Sequence, residues 1–216
     1  MKIERMDSFF SARLNGYDEH MINNVDGCKD GYVKLAELIP NDINKLLDLG
    51  CGTGLELERI FENNPDVHVT GIDLTQEMLD RLQEKYSDKN IELICSSYLG
   101  YDFGIETYDV AISFETMHHL TYDEKIRLYS GILRSLKPGG KYIECDYMVI
   151  DQGEEDFYFS EYERIKKEQN LRDGEFYHYD TPCTIENQIK LFKHSGFSTV
   201  RNLWRMGNTT IIEALK

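Results

Sequence analysis

No apolar run in this 216-residue chain approaches the roughly 20 residues that a membrane-crossing helix needs, which excludes a helical membrane channel or transporter. The start, Met1-Lys2-Ile3-Glu4-Arg5-Met6-Asp7, holds no apolar stretch of the kind a secretory signal requires, so the expected location is cytoplasmic. No two of the five cysteines, at 28, 51, 95, 145 and 183, lie two residues apart, and their number is odd. That removes a zinc ribbon and a disulfide framework and leaves reduced thiols as the expectation. Positive charge is scarce: 24 Lys and Arg stand against 39 Asp and Glu, a net charge of −15. Such a chain repels phosphate backbones, so nucleic acid is not an expected partner, whereas a small or cationic substrate is compatible with it. The one tight basic cluster, Arg164, Lys166 and Lys167, reads as a solvated helix face. Internal repeats and low-complexity segments are also missing.

What is present suits one folded domain across 1–216, since 41% of residues are hydrophobic and 29% charged. Within it we expect a helical cap over 1–40 and a substrate-side insertion over 150–182. Residues 7–22 and 29–39 carry apolar side chains at helical spacing, which predicts two N-terminal helices, the second ended by Pro40. From Lys45 short apolar runs at 45–49, 67–72, 91–95, 108–114 and 140–149 alternate with helical stretches at 54–63, 75–87 and 121–136. Strand-helix-strand repetition predicts a Rossmann-like α/β fold, a mostly parallel sheet with helices on both faces. Thr75 is expected to cap one helix through its hydroxyl, and Lys137-Pro138-Gly139-Gly140 to stop another. The remainder predicts a helix to about Asn170, an irregular aromatic stretch at 172–182, a helix near 184–195, and strands near 198–205 and 208–214.

The chemistry concentrates in Leu46-Leu47-Asp48-Leu49-Gly50-Cys51-Gly52-Thr53-Gly54, followed by Gly71-Ile72-Asp73-Leu74. A glycine loop after one strand lets backbone N–H groups approach a ligand, here with the help of a helix expected to begin near Gly54. A carboxylate at the tip of the next strand can accept from both ribose hydroxyls of an adenosine-containing cofactor. A dinucleotide loop, G-x-G-x-x-G, would need its third glycine at position 55, which is Leu; the spacing here is G-x-G-x-G.

With Asp48 two residues ahead, this run resembles the first motif of the class I S-adenosylmethionine-dependent methyltransferases, and Asp73 matches that family's ribose-binding acid. The resemblance continues through Tyr108-Asp109-Val110-Ala111-Ile112-Ser113-Phe114, Met117-His118-His119-Leu120 and Leu136-Lys137-Pro138-Gly139-Gly140, covering roughly residues 43 to 148. It implies a seven-stranded sheet with a reversed edge strand, S-adenosylmethionine as cofactor, S-adenosylhomocysteine as product, and methyl transfer to a small-molecule acceptor.

Under that resemblance the cofactor-binding set is Tyr17, Asp48, Gly50, Cys51, Gly52, Gly54, Asp73, Leu74, Ser97, Tyr98 and Phe114. Asp48 either accepts loop N–H bonds or faces the cofactor ammonium through water, and Cys51 reads as a small filler of the turn. Ser97 stands where the family carries an adenine-reading acid, a departure that leaves adenine recognition to one hydroxyl, backbone groups and a ring cover from Tyr98 or Leu74. Tyr17 is either a lid over the cofactor or an aromatic anchor for its helix. Candidate catalytic residues are His118, His119 and Asp146. Either histidine has the chemistry of a general base or a role in packing a helix start. Glu144 and Asp146 alternate with Ile143 and Cys145, so both acids share one side of the pleat, where one of them either meets substrate or is a partnered buried acid. No metal site is expected. The aromatic stretch Glu175-Phe176-Tyr177-His178-Tyr179-Asp180 either lines the acceptor pocket or packs as a loop. Competing readings are a carboxy-S-adenosylmethionine synthase-like enzyme, a non-catalytic S-adenosylmethionine-binding protein and, last, a nicotinamide oxidoreductase.

Overall fold

Runs rich in leucine, isoleucine and valine alternate with amphipathic stretches, and in the computed structural model each run becomes a strand of one seven-stranded sheet. The structure describes residues 2–172 and 174–216; Met1 in the expected cap and Asp173 in the expected insertion lie outside the described residues. In chain order the elements are α1 (Met6–Arg13), α2 (Tyr17–Asn23), α3 (Cys28–Leu38), β1 (Lys45–Leu49), α4 (Leu57–Asn63), β2 (His68–Asp73), α5 (Gln76–Lys85) and β3 (Ile91–Cys95). Then come β4 (Tyr108–Phe114), a single 3₁₀ turn (Met117–His119), α6 (Tyr122–Ser135), β5 (Leu136–Tyr147), α7 (Gln152–Glu168), α8 (Ile185–His194), β6 (Thr199–Met206) and β7 (Thr209–Leu215).

The strand order is β3-β2-β1-β4-β5-β7-β6, with β1 to β5 parallel. The reversed strand is β7, hydrogen-bonded between β5 and β6 in antiparallel register on both sides. Alternating side chains divide the core between the two faces. Leu46, Val110, Ile112 and Ile143 pack under α3, α4 and α5, while Leu47, Leu49, Ala111 and Tyr142 pack under α6 and α8. Because β1 to β5 run the same way, Leu49, Asp73, Cys95, Phe114 and Tyr147 finish along one edge, where an open α/β sheet leaves room for a ligand.

Three local readings are corrected. The first predicted helix is two, because Gly16 takes a φ of +88° and breaks the chain between α1 and α2. Thr75 precedes α5 without a side-chain capping bond; the Asp73 carboxylate accepts its N–H at 2.8 Å instead. Lys137-Pro138-Gly139-Gly140 does not leave the sheet but forms a bulged start to β5, whose pairing with β4 jumps from Leu136 to Lys141. Among the described residues of 1–40, α1, α2 and the turn at Val25 and Asp26 reach the ligand edge. Helix α3 buries Cys28, Tyr32, Leu35 and Ala36 in the core.

Candidate functional site

The loop after β1 turns on three glycines with positive φ: Gly50 (+71°), Gly52 (+48°) and Gly54 (+71°). The reason differs at each end. A Cβ on Gly50 would meet Thr116 Oγ1 at 2.6 Å, whereas one on Gly52 would find nothing nearer than Tyr17 at 3.9 Å, so the open side of the loop lies at Gly52. Gly50 and Cys51 donate their N–H groups to Ile72 O, and Gly52 N donates to Asp73 Oδ2 at 3.0 Å. With Thr75 N on Oδ1, the Asp73 carboxylate is fixed between two backbone donors. Burial pushes its pKa up, against the pull of those donors. Cys51 is buried beneath Gly71, its Sγ only 2.9 Å from where a Cβ would stand. The helix expected near Gly54 begins at Leu57, after a turn.

Asp48 is fully buried and accepts none of the loop N–H bonds that were one of its two expected roles; the Glu56 carboxyl is its hydrogen-bonding neighbour. Burial, then the charge of Glu56, lifts its pKa well above the carboxylate range, and burial lifts Glu56 too. Two side chains absent from the sequence reading tie α2 to the loop. Asp18 accepts from Thr53 Oγ1 at 2.5 Å and pairs with Lys85 Nζ at 2.7 Å. Their partner in the bond, Thr53, is a loop residue, but nothing in the spacing of Asp18 and Lys85 marked either as part of the site.

Asp73, Leu74, Ser97 and Tyr98 line a cavity of about 50 Å³ that Met6 and Phe10 of α1 and Phe176 close from above. Ser97 Oγ accepts from Leu99 N at 3.1 Å, and the Tyr98 and Thr116 hydroxyls lie 3.0 Å apart. Phe114 is corrected: its ring stacks on Tyr32 in the core at 3.9 Å between centroids, away from this cavity.

Phe10 and His119 line both this cavity and a second one, of about 1050 Å³, on which Tyr17 also stands and which is bounded by α1, α2, the tip of β4, the 3₁₀ turn and residues 178–180. Here His118 Nδ1 meets Asp146 Oδ1 at 2.7 Å, with Glu115 Oε2 at 3.8 Å and, across the ring, Asp180 Oδ1 at 3.7 Å from Nε2. Burial alone would lower His118, but the charge and hydrogen bond of Asp146 carry its pKa up to about 9. His119 is lowered by burial and by the charge of His118, and its Nδ1 reaches Tyr179 O at 3.2 Å. Burial likewise takes His178 down to about 4. Although burial opposes it, the neighbouring histidines hold Asp180 well below the usual carboxylate range.

The structure therefore brings Tyr17, His118, His119 and Asp146 together, adds Glu115, and places His178 and Asp180 of the aromatic stretch on the same cavity, the first of the two readings given for that stretch. Glu144 shares the side of Asp146 but not its role, being locked by Tyr129, Tyr142 and Gln188 in a buried network under α8. One signal was available for Glu115, an acid at a strand tip beside paired histidines. Asp180 belongs to the aromatic stretch, but its pairing with His118 was not legible: it arrives because Thr181 N donates to His118 O at 2.6 Å across 63 residues of chain. Two triads, His118-His119-Asp180 and Glu115-His118-Asp146, have the donor types of a metal site. The Nδ1 of His119 faces Tyr179 O at 3.2 Å and Asp180 Oδ1 at 3.3 Å, which makes it the protonated nitrogen.

Residues 46–140 match a protein family described as a methyltransferase domain. A carboxy-S-adenosyl-L-methionine synthase of Trichodesmium erythraeum is 27% identical over 80% of this chain and 72% of its own length. Human N-acetylserotonin methyltransferase, solved with S-adenosylmethionine, superposes with a TM-score of 0.64 at 17% identity over 88% of this chain and 52% of that one. Phosphoethanolamine N-methyltransferase 2 of Haemonchus contortus, solved with phosphomonomethylethanolamine and S-adenosylhomocysteine, gives 0.66 at 20% identity over 91% and 46%. This chain spans about half the length of those two structures.

Proposed function

We infer that this chain, which belongs to the class I S-adenosylmethionine-dependent methyltransferase family, is an enzyme that transfers a methyl group from S-adenosylmethionine to a small-molecule acceptor. One observation carries this reading: the Gly50–Gly54 cradle, open at Gly52, stands beside the Asp73 carboxylate and gives through Tyr17 onto a cavity of about 1050 Å³. The residues fit a cationic nucleoside. Asp48 and Glu56 form a buried acid pair beside the loop that no backbone N–H satisfies, and each Asp73 oxygen, holding one N–H, keeps a lone pair for a ribose hydroxyl. Leu74, Ser97 and Tyr98 would frame the adenine, and Cys51 and Gly54 shape the turn.

S-adenosylmethionine, when bound, supplies a methyl group on an electrophilic sulfonium. The chain's own task is to orient an acceptor, exclude water and move a proton. The segments over 1–40 and 150–182 supply the acceptor-side walls through α1, α2 and residues 178–180. His118, paired with Asp146, is protonated at neutral pH and serves to position neighbouring acids rather than as a base, while His119 remains neutral. The carboxy-S-adenosylmethionine synthase alternative fits less well, because Arg13 is the one Lys or Arg on the large cavity among the described residues and it is paired with Glu4. Among the described residues no helix is long and apolar enough to cross a membrane. The five unpaired cysteines favour a reducing, cytoplasmic setting, and the acidic charge favours small molecules over nucleic acid.

Calorimetric titration with S-adenosylhomocysteine tests the assignment. Binding is expected, and Asp73→Ala should weaken it by about 1–3 kcal/mol, the cost of losing a charged hydrogen-bond acceptor. An unchanged affinity in a folded variant would remove Asp73 from the site.

A further inference from the structure

The large cavity is unusual in its charge. Asp26, Glu115 and Asp180 line it, while Arg13 is spoken for twice, by Glu4 at 3.1 Å and by the Phe9 ring at 3.6 Å. The positive charge on His118 is matched by Asp146 at 2.7 Å, and burial keeps His119 and His178 neutral. What is left over is negative and walled by aromatic rings, the surroundings that attract an organic cation.

Glu115 is placed at a cost. It follows the last residue of β4 with a φ of +47°, a left-handed conformation that a long side chain seldom adopts. Two bonds hold it there: its N–H donates to Cys145 O at 2.8 Å, and Thr209 Oγ1 donates to its Oε1 at 3.1 Å. Strain of this kind persists where the surroundings over-determine it, and here it sets a nearly buried carboxyl at the cavity wall next to the glycine loop's edge of the sheet. Asp180 lies on the other side of the His118 ring.

We propose that the acceptor is a protonated amine without any anionic group, its ammonium bound by Glu115 with Asp180 as the second, outer anchor, and that the reaction is N-methylation. The proposal rests on the methyl-donor reading above and narrows it. An ammonium has no lone pair, so it must first give one proton to the Glu115 carboxylate, which burial makes readier to accept it. The freed nitrogen pair then forms the N–CH₃ bond while the S–CH₃ pair stays on sulfur, leaving a neutral thioether. Ammonium and sulfonium become methylammonium, thioether and one proton, which passes from Glu115 to water. A phosphate or carboxylate on the acceptor would find the acids and no uncommitted Lys or Arg among the described cavity residues.

The test is a panel of alkyl- and arylalkylamines, with phosphoethanolamine, catechol and a simple alkanethiol as contrasts, assayed for S-adenosylhomocysteine and for the methylated product by mass. Amine binding to the enzyme saturated with S-adenosylhomocysteine is measured separately by calorimetry. Expected are turnover with amines, amine affinity lowered on the order of tenfold to a hundredfold in Glu115→Gln, and a smaller loss in Asp180→Asn. Glu115→Asp should recover part of the binding, which a purely structural role would not predict. Faster turnover of phosphoethanolamine, catechol or the thiol, or amine binding indifferent to both Glu115→Gln and Asp180→Asn, overturns the proposal. Binding of S-adenosylhomocysteine with no amine turned over also overturns it and leaves the donor site standing, whereas absence of that binding sinks the donor site itself.

Discussion

The two halves of the ligand edge are built in opposite ways. The donor half comes from a stretch of 24 residues, 50 to 73, in which two successive strand tips lie side by side and most fixed contacts are made by backbone N–H groups. The acceptor half draws on side chains from Phe9 to Thr209, gathered from at least five segments. Backbone cradles need glycines at set positions and so leave a motif, while a side-chain cavity needs only that the fold deliver its groups. Glycine substitutions should separate the two most widely. Gly50→Val combines a left-handed φ with a clash at Thr116 and should cost about 2–5 kcal/mol of stability and abolish S-adenosylhomocysteine binding. Gly16→Ala, with a φ of +88° but no atom within 4 Å, should cost only about 1–2 kcal/mol and leave donor binding intact. Equal losses in urea unfolding would mean that the cap is as rigidly specified as the cradle.

That contrast also explains what could be read before the fold was seen. All seven strands follow from apolar runs and glycine-rich breaks, and Asp73 follows from its place after the second run, because each signal is local in sequence. The break at Gly16 escaped notice since the apolar spacing continues through it; Phe10, Leu14, Tyr17 and Met21 keep a helical period that the backbone abandons. Phe114 was assigned to the donor because its segment borders it, but strand alternation turns that ring to the α3 face. His178 and Asp180 stand in the aromatic stretch that was open to either a pocket or a packing role, and their partners, Phe9 and His118, were not legible because they lie about 60 or more residues away. The pairing of Asp146 with His118 is likewise a product of strand register.

A second test acts within the acceptor half, through pH. His118 is faced by Asp146 on β5, Glu115 at the tip of β4, His119 beside it, Asp180 from the loop and the ring of Tyr147. Its folded pKa of about 9 exceeds the unfolded value near 6.5. The pair therefore stabilises fully below pH ~6.5, and that contribution, about 3 kcal/mol at most, fades as pH rises through about 9. Urea midpoints should fall across this window in the wild type and much less in Asp146→Ala, which is weaker at pH 6 but converges on the wild type near pH 9.5. Parallel curves would mean that His118 does not carry the charge.

The smallest expected effect concerns the boundary between the halves, where α1 is strapped over the adenine side. Helix α1 buries no residue of its own, and the strap is held by two backbone bonds, Met6 N to Phe176 O and His178 N to Glu4 O, each 2.9 Å, by Phe9 stacked on His178 at 3.4 Å between centroids, and by the exposed contacts Arg5–Glu175 and Ser11–Glu77. The space beneath, about 50 Å³, is lined by Met6, Phe10 and Phe176 on the strap's side. Under the proposed donor site, entry past the strap is expected, and the strap's opening free energy should be well below that of the sheet. Phe9→Ala removes the stack and should cost about 0.5–1.5 kcal/mol locally. Amide exchange over residues 5–13 and 176–180 should then quicken several-fold while the β1 and β4 amides stay protected. Association and dissociation of S-adenosylhomocysteine should both quicken, with equilibrium affinity changed by less than about 0.7 kcal/mol, because the cradle itself is untouched. Unaltered exchange and unaltered rates would show that the donor enters without passing α1, and would place the hinge at Phe176 alone.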